Sequence, residues 1–305
     1  MTQKDYETLI DAPTWAFIAR SAASTPDDTV TATIADQRRT YDAMCRTFDH
    51  GRPAGVTSRD YPIAGVPCRD YAGASPTILY LHGGGFVVGG LYSHDDVCAE
   101  ICTATGLRVI GVYYRLSPEH PHPAALDDTL AVTRALLAEG PVVLAGDSAG
   151  GNLAAAATHF LRRNPNLRGQ LLIYPGLGGD PNTGSYLTHA HAPMLTRDDV
   201  LFYAGIRRND PADPTAAPLL APDLTGLPPT IAFSAECDPV ADDALHYCAR
   251  LNAAGTPAHR IFEPGLVHGY LRARHTVPRA AASFGRIIDA LTALAKRHWP
   301  YGDMP

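Results

Sequence analysis

Short, continuous apolar runs recur along this chain near 77–82, 107–114, 141–146, 169–174, 229–235 and 258–263, bounded by glycine, proline or polar turns. Runs this short, rich in β-branched and aromatic residues and punctuated by Gly and Pro, read as buried strands. Between them lie stretches of helical length near 94–105, 123–139, 149–163, 240–254 and 277–297, and a β-rich entry spans Val56 to Tyr71. Strand alternating with helix predicts an α/β fold with a mostly parallel central sheet covered on both faces. Two segments break the rhythm. Residues 1–45 read as largely helical, with an apolar patch at Trp15, Phe17 and Ile18; residues 176–220 carry the turn Gly178-Gly179-Asp180-Pro181 and a helix from Thr196 to Ile206.

Composition narrows this picture without altering it. A chain of 305 residues with 46% hydrophobic content can bury one large core plus an excursion. The formal net charge of −6 argues against a nucleic-acid partner, because Arg207-Arg208 and Arg272-Ala273-Arg274 are too short to make a basic face. Asp5, Glu7 and Asp11 interrupt the first twenty residues, and nowhere do ~18 uninterrupted apolar residues occur, so the expectation is a cytoplasmic protein with no membrane partner. Cys45, Cys68, Cys98, Cys102, Cys237 and Cys248 are scattered as reduced thiols would be. Cys98 and Cys102, spaced i,i+4, should share a helix face.

Candidate chemistry gathers at the ends of the predicted strands. Gly146-Asp147-Ser148-Ala149-Gly150 follows the run Val142-Val143-Leu144-Ala145 and precedes an Ala-rich helix, which puts Ser148 on a sharp strand-to-helix turn suited to a nucleophile. His82-Gly83-Gly84-Gly85-Phe86 follows another strand; glycines let backbone N–H groups approach a reacting carbonyl and stabilise an oxyanion. No Lys-Ser or Lys-Thr follows either Gly-rich segment, which argues against a phosphate loop. A base and an orienting acid are available downstream. The strand at 229–235 ends in Glu236-Cys237-Asp238-Pro239, and the loop expected after 258–263 carries His268. Glu236 and Asp242 flank Asp238 and compete with it for the role of orienting acid, their bland alternatives being a solvated turn acid and a helix N-terminal charge. Glu119 reads as a loop brace in preference to a metal ligand, and the pairs His120/His122 and His189/His191 lack the companions of a metal motif, so no metal and no cofactor is expected.

Taken together, His82-Gly83-Gly84-Gly85-Phe86, Tyr114-Arg115-Leu116-Ser117-Pro118-Glu119-His120-Pro121, Gly146-Asp147-Ser148-Ala149-Gly150-Gly151-Asn152, Asp238-Pro239-Val240 and His268-Gly269-Tyr270 resemble the hormone-sensitive-lipase-type (bacterial family IV) carboxylesterases of the α/β-hydrolase superfamily. Val240 and Tyr270 depart mildly from that pattern, where Leu and Phe are more usual. The resemblance implies an α/β-hydrolase fold with a mainly helical cap: a catalytic domain at 46–175 and 221–305, the cap built from 1–45 and 176–220. It implies Ser148 as nucleophile, His268 as base, Asp238 as the orienting acid, and an oxyanion hole from the amides of Gly83, Gly84 and Ala149, with His82 bracing the glycine loop. Trp15, Phe17, Met194, Leu195, Phe202 and Tyr203 are candidate pocket residues of the cap. The function expected is hydrolysis of a small ester, from acetate to about hexanoate, through an acyl-enzyme. The same triad would also serve an amidase, a formamidase or a sugar-acetate esterase, and the same fold a non-catalytic receptor. A homodimer is expected from the resemblance alone.

Overall fold

The computed structural model describes residues 1, 3–24 and 32–302; the part of the N-terminal expectation that falls on 25–31 lies outside the described residues. The sheet opens with a hairpin of β1 (Ser58–Ile63) and β2 (Val66–Tyr71). The turn Ala64-Gly65 takes φ of 50° and 84°, which matches the twist of paired antiparallel strands. The remaining strands are β3 (Ala74–Leu81), β4 (Leu107–Val112), β5 (Val142–Asp147), β6 (Leu167–Ile173), β7 (Thr230–Cys237) and β8 (Ala258–Val267). Their order is β1-β2-β4-β3-β5-β6-β7-β8, and only β2 runs against its neighbours. This is the mostly parallel sheet that the strand–helix alternation predicts.

Period-two alternation divides the core into two layers. Leu79, Leu81, Val142 and Leu144 face one cluster, which is completed by α5 (Ala124–Glu139), α6 (Ala149–Leu161) and α9 (Ala241–Ala253). Ile78, Tyr80, Val143 and Ala145 face the other, completed by α4 (Asp95–Thr105) and α10 (Pro278–Ala295). All of β5 is buried, so its apolar run reads as continuous because both faces are covered. Cys98 and Cys102 lie together in the second layer, and all six cysteines are free and buried.

Helices α1 (Gln3–Leu9), α2 (Ala12–Ala23) and α3 (Ile34–Thr47) precede the sheet. Asp11 caps α2 by accepting the Thr14 N–H at 3.0 Å, and the Thr33 hydroxyl caps α3 by accepting the Asp36 N–H at 3.2 Å. Tyr6, Ile10 and Phe17 sink into the second layer, Phe17 against Phe48 with ring centroids 5.0 Å apart. Between β6 and β7 stand α7 (Gly184–Thr188) and α8 (Arg197–Arg207), the latter begun by a reciprocal Thr196–Asp199 capping box.

One boundary differs from the sequence reading. The stretch Pro264–Val267, expected as loop, continues β8 after a register shift opposite Ala235 and Cys237. Gly265 takes φ of 67° there and donates its N–H to Glu236 Oε2 at 2.7 Å, so a glycine and an acid carry the strand through an irregularity that looks like a break in sequence.

Candidate active site

At the end of β5 the chain turns through Ser148 into α6, with Ser148 at φ 52° and ψ −117°. A non-glycine residue there costs ~1–3 kcal/mol and persists only where its surroundings fix it. Here they do: Ser148 donates its N–H to the Ile173 carbonyl at 2.9 Å, and a Cβ on Gly150 would collide with the Leu81 carbonyl oxygen. The turn raises the Ser148 hydroxyl at the C-terminal edge of the sheet, next to the first turn of α6.

The end of β8 and the turn after β7 bring the other two expected residues to it. His268 Nε2 lies 2.9 Å from Ser148 Oγ, and His268 Nδ1 lies 2.7 Å from Asp238 Oδ2. Asp238 is wholly buried, and its second oxygen accepts the Val240 N–H at 3.0 Å. With Nδ1–H donating to the carboxylate, Nε2 is left as acceptor for the serine hydroxyl. The competing acids are engaged elsewhere. Glu236 holds Gly265, and Asp242 accepts the Ser185 N–H at 2.8 Å, tying α7 to α9.

The glycine loop leaves β3 and passes beside the elbow. Gly84 and Gly85 take φ of 125° and 57° and line the cavity together with Ala149; Gly83 does not line it. The resemblance implies that Gly83 presents its amide to an oxyanion, whereas that N–H donates to Asp147 Oδ1 at 3.0 Å. Asp147, between elbow glycine and serine, points back beneath the loop, where it also accepts the Tyr80 hydroxyl at 2.9 Å. His82 braces the same loop. Its Nδ1 contacts the Gly83 carbonyl at 2.8 Å, Tyr114 stacks on its ring at 4.3 Å, and burial pushes its pKa down to about 3, so the ring is neutral.

The cavity over Ser148 has a volume of about 910 Å³. Met194, Leu195, Phe202 and Tyr203 line it as expected, whereas Trp15 and Phe17 pack with the core. Their place in the wall is taken by Ile18 of α2 and by Tyr41 and Met44 of α3, which sequence reasoning missed because a short amphipathic helix does not say which edge of its apolar face meets a void. Helix α3 is fastened by Arg38, whose guanidinium donates to both oxygens of Glu119 at 2.8 and 2.7 Å, to Val87 O at 2.8 Å and to Ser117 O at 3.0 Å. Glu119 thus meets Arg38 as a half-exposed partner beside the two carbonyls. The histidine pairs do not converge. His122 contacts Asp213 and Thr215, and His189 contacts Tyr6. Among the described residues no cluster of His, Cys, Asp or Glu is arranged to hold a metal ion, and no helix is long and apolar enough to cross a membrane.

Residues 78–272 match the family model described as alpha/beta hydrolase fold. Carboxylesterase NlhH of Mycobacterium tuberculosis is 40% identical over 232 residues, covering 71% of this chain and 73% of that one. The crystal structure of an esterase from the bacterial hormone-sensitive lipase family superposes with a TM-score of 0.86 at 30% identity, over 93% of this chain and 99% of that one. The chain belongs to the hormone-sensitive-lipase-type carboxylesterase family of α/β-hydrolases. Ethyl acetate hydrolase of Pseudomonas putida is 31% identical over 239 residues, covering 74% of this chain and 75% of its own.

Proposed function

We propose that the protein hydrolyses short-chain carboxylic esters through an acyl-enzyme on Ser148. The observation that carries this reading is the continuous relay from Ser148 Oγ to His268 to buried Asp238, with contacts of 2.9 and 2.7 Å. In the first half-reaction the Ser148 oxygen attacks the ester carbonyl while its proton passes to His268 Nε2. The tetrahedral oxyanion collapses, the bond to the alcohol breaks, and His268 returns the proton to the leaving oxygen. Water then repeats the sequence on the acyl-serine, releasing the acid. Asp238 holds the ring in the tautomer that accepts at Nε2 and stabilises the imidazolium.

The oxyanion reading passes from Gly83 to its neighbours. Gly84, Gly85 and Ala149 border the cavity, and the Ala149 amide, at the first position of α6, has no partner within its helix and sits at the positive end of the helix dipole. In this reading α2, α3, α7 and α8 act as a cap, and their aromatic and aliphatic side chains hold the acyl and alcohol groups. The ethyl acetate activity named for a relative at 31% identity supports a short acyl chain. Initial rates on p-nitrophenyl esters from acetate to palmitate test this: kcat/KM is expected to peak between two and six carbons and to fall at least about tenfold by twelve, the scale of one lost 1.4 kcal/mol of binding. A maximum at twelve or more carbons would refute it.

A further inference from the structure

The carboxylate next to the nucleophile has partners that the relay does not use. Asp147 Oδ1 accepts the Gly83 N–H at 3.0 Å and the Tyr80 hydroxyl at 2.9 Å, and His94 Nε2 stands 3.2 Å from Oδ1 and 3.3 Å from Oδ2. The fit at Gly83 is close enough to exclude any side chain. A Cβ there would lie 3.1 Å from Asp147 Cγ and would overlap Oδ2. Asp147 is buried, and burial by itself would favour the neutral acid; His94, Arg272 and the Tyr80 hydroxyl outweigh it and hold the carboxyl well below the usual range. Ionised, it is acceptor-only, which is what the donors converging on it require.

The placement matters because of what lies on either side. Asp147 precedes Ser148 in the chain, and Gly83 precedes Gly84 and Gly85. One hydrogen bond therefore ties the elbow to the loop across 64 residues of sequence. A run of glycines is the least preorganised backbone a protein can offer, whereas oxyanion donors are effective only when fixed before charge develops. We infer that Asp147 is a positioning residue for ester hydrolysis: by anchoring the Gly83 amide to the nucleophile elbow, its carboxylate orients the Gly84 and Gly85 amides toward the reacting carbonyl. The role rests on the reading of Ser148 as nucleophile, while the contact itself does not.

Two substitutions separate anchoring from mere packing. Asp147→Asn keeps a carbonyl oxygen for Gly83 and Tyr80, and His94 can meet the new amide by moving its proton to Nδ1, which faces Ser93 Oγ at 2.8 Å. Asp147→Leu removes the acceptor. With p-nitrophenyl butyrate, Asp147→Leu is expected to lose ~10²–10³ in kcat with KM changed by less than about threefold, and Asp147→Asn to recover to within about tenfold of wild type. A trifluoromethyl ketone, which forms a tetrahedral adduct on the serine, is expected to weaken by the same factor as kcat falls, with inhibition by butyrate unaltered. Equal losses in both variants, or a loss confined to KM, would overturn the inference.

Should Asp147→Leu fail to fold, amide exchange in the wild-type protein decides. The Gly83 N–H is expected to be protected in the free enzyme, and those of Gly84 and Gly85 to exchange freely until the ketone adduct forms. Free exchange at Gly83 would end the proposal. A Ser148→Ala variant that still hydrolyses esters at the wild-type rate would instead defeat the assignment of the nucleophile and leave the Gly83 result standing.

Discussion

At the scale of single residues, the site depends on which oxygen of a carboxylate meets which donor. Val240 N–H occupies Asp238 Oδ1, so in Asp238→Asn the amide oxygen stays on that side and the amide nitrogen turns toward His268 Nδ1. Nδ1 must then accept, the ring proton moves to Nε2, and the base can no longer take the serine proton. A kcat reduced by ~10³–10⁴ with little change in KM is expected from steady-state kinetics; a variant within tenfold of wild type would contradict the relay. Ser148, His268 and Asp238, which the fold brings into contact, stand out in the sequence because each sits at a strand end in a distinctive turn. Gly83 marks where local sequence stops being informative. Sequence shows that a glycine amide is able to donate, but not that the aspartate 64 residues away reaches it first. Asp147 itself was hidden as the unspecified position of a pentapeptide, although a lone acid at the end of an apolar run was a signal in plain view.

At the scale of elements, most strands and helices followed from periodicity, since burial on one or two faces imposes a period that survives in any single sequence. Exceptions arise where long-range contacts override local signals. Strand β8 runs through Pro264-Gly265 because Glu236 on its neighbour caps the bulge, and the N-terminal aromatics serve the core because α1 and α2 pack onto α10's side of the sheet. Helix α3 shows how an element is placed by one side chain. Arg38 joins it to the exit of the glycine loop at Val87 and to the loop containing Ser117 and Glu119. Glu119 is half exposed, so its ion pair contributes little and the two backbone carbonyls carry the link. Arg38→Met is therefore expected to raise KM about three- to tenfold with kcat nearly unchanged, whereas Glu119→Gln changes KM less than about threefold. A larger effect from Glu119→Gln than from Arg38→Met would reverse this account of how the wall is held.

At the scale of the whole molecule, one buried acid gives folding stability a definite dependence on pH. Asp243 on α9 accepts the Leu177 N–H at 2.6 Å, the Gly179 N–H at 3.4 Å and the Tyr186 hydroxyl at 3.3 Å, all on Oδ2. Burial raises its pKa from 3.8 to about 7 against the pull of those donors. Because the folded value exceeds the unfolded one, the fold binds this proton more tightly than the unfolded chain does. Its contribution is complete below pH 4 and is lost as pH rises through about 7. Asp243→Asn keeps the acceptor and removes the ionisation. Urea unfolding is expected to show wild type losing stability between pH 5 and pH 8, with the variant more stable by upward of about 1 kcal/mol at pH 8; parallel behaviour of the two proteins would disprove the linkage. Above all of this stands the claim that the molecule works through Ser148. The measurement that reaches it most directly is peptide mapping by mass spectrometry after treatment with an alkyl p-nitrophenyl phosphonate, alongside ester hydrolysis by wild type and Ser148→Ala. The account predicts one phosphonyl group on Ser148, one equivalent of p-nitrophenolate released, and hydrolysis lowered by ~10³-fold or more in the variant. An adduct on another residue, or a variant as active as wild type, would contradict it.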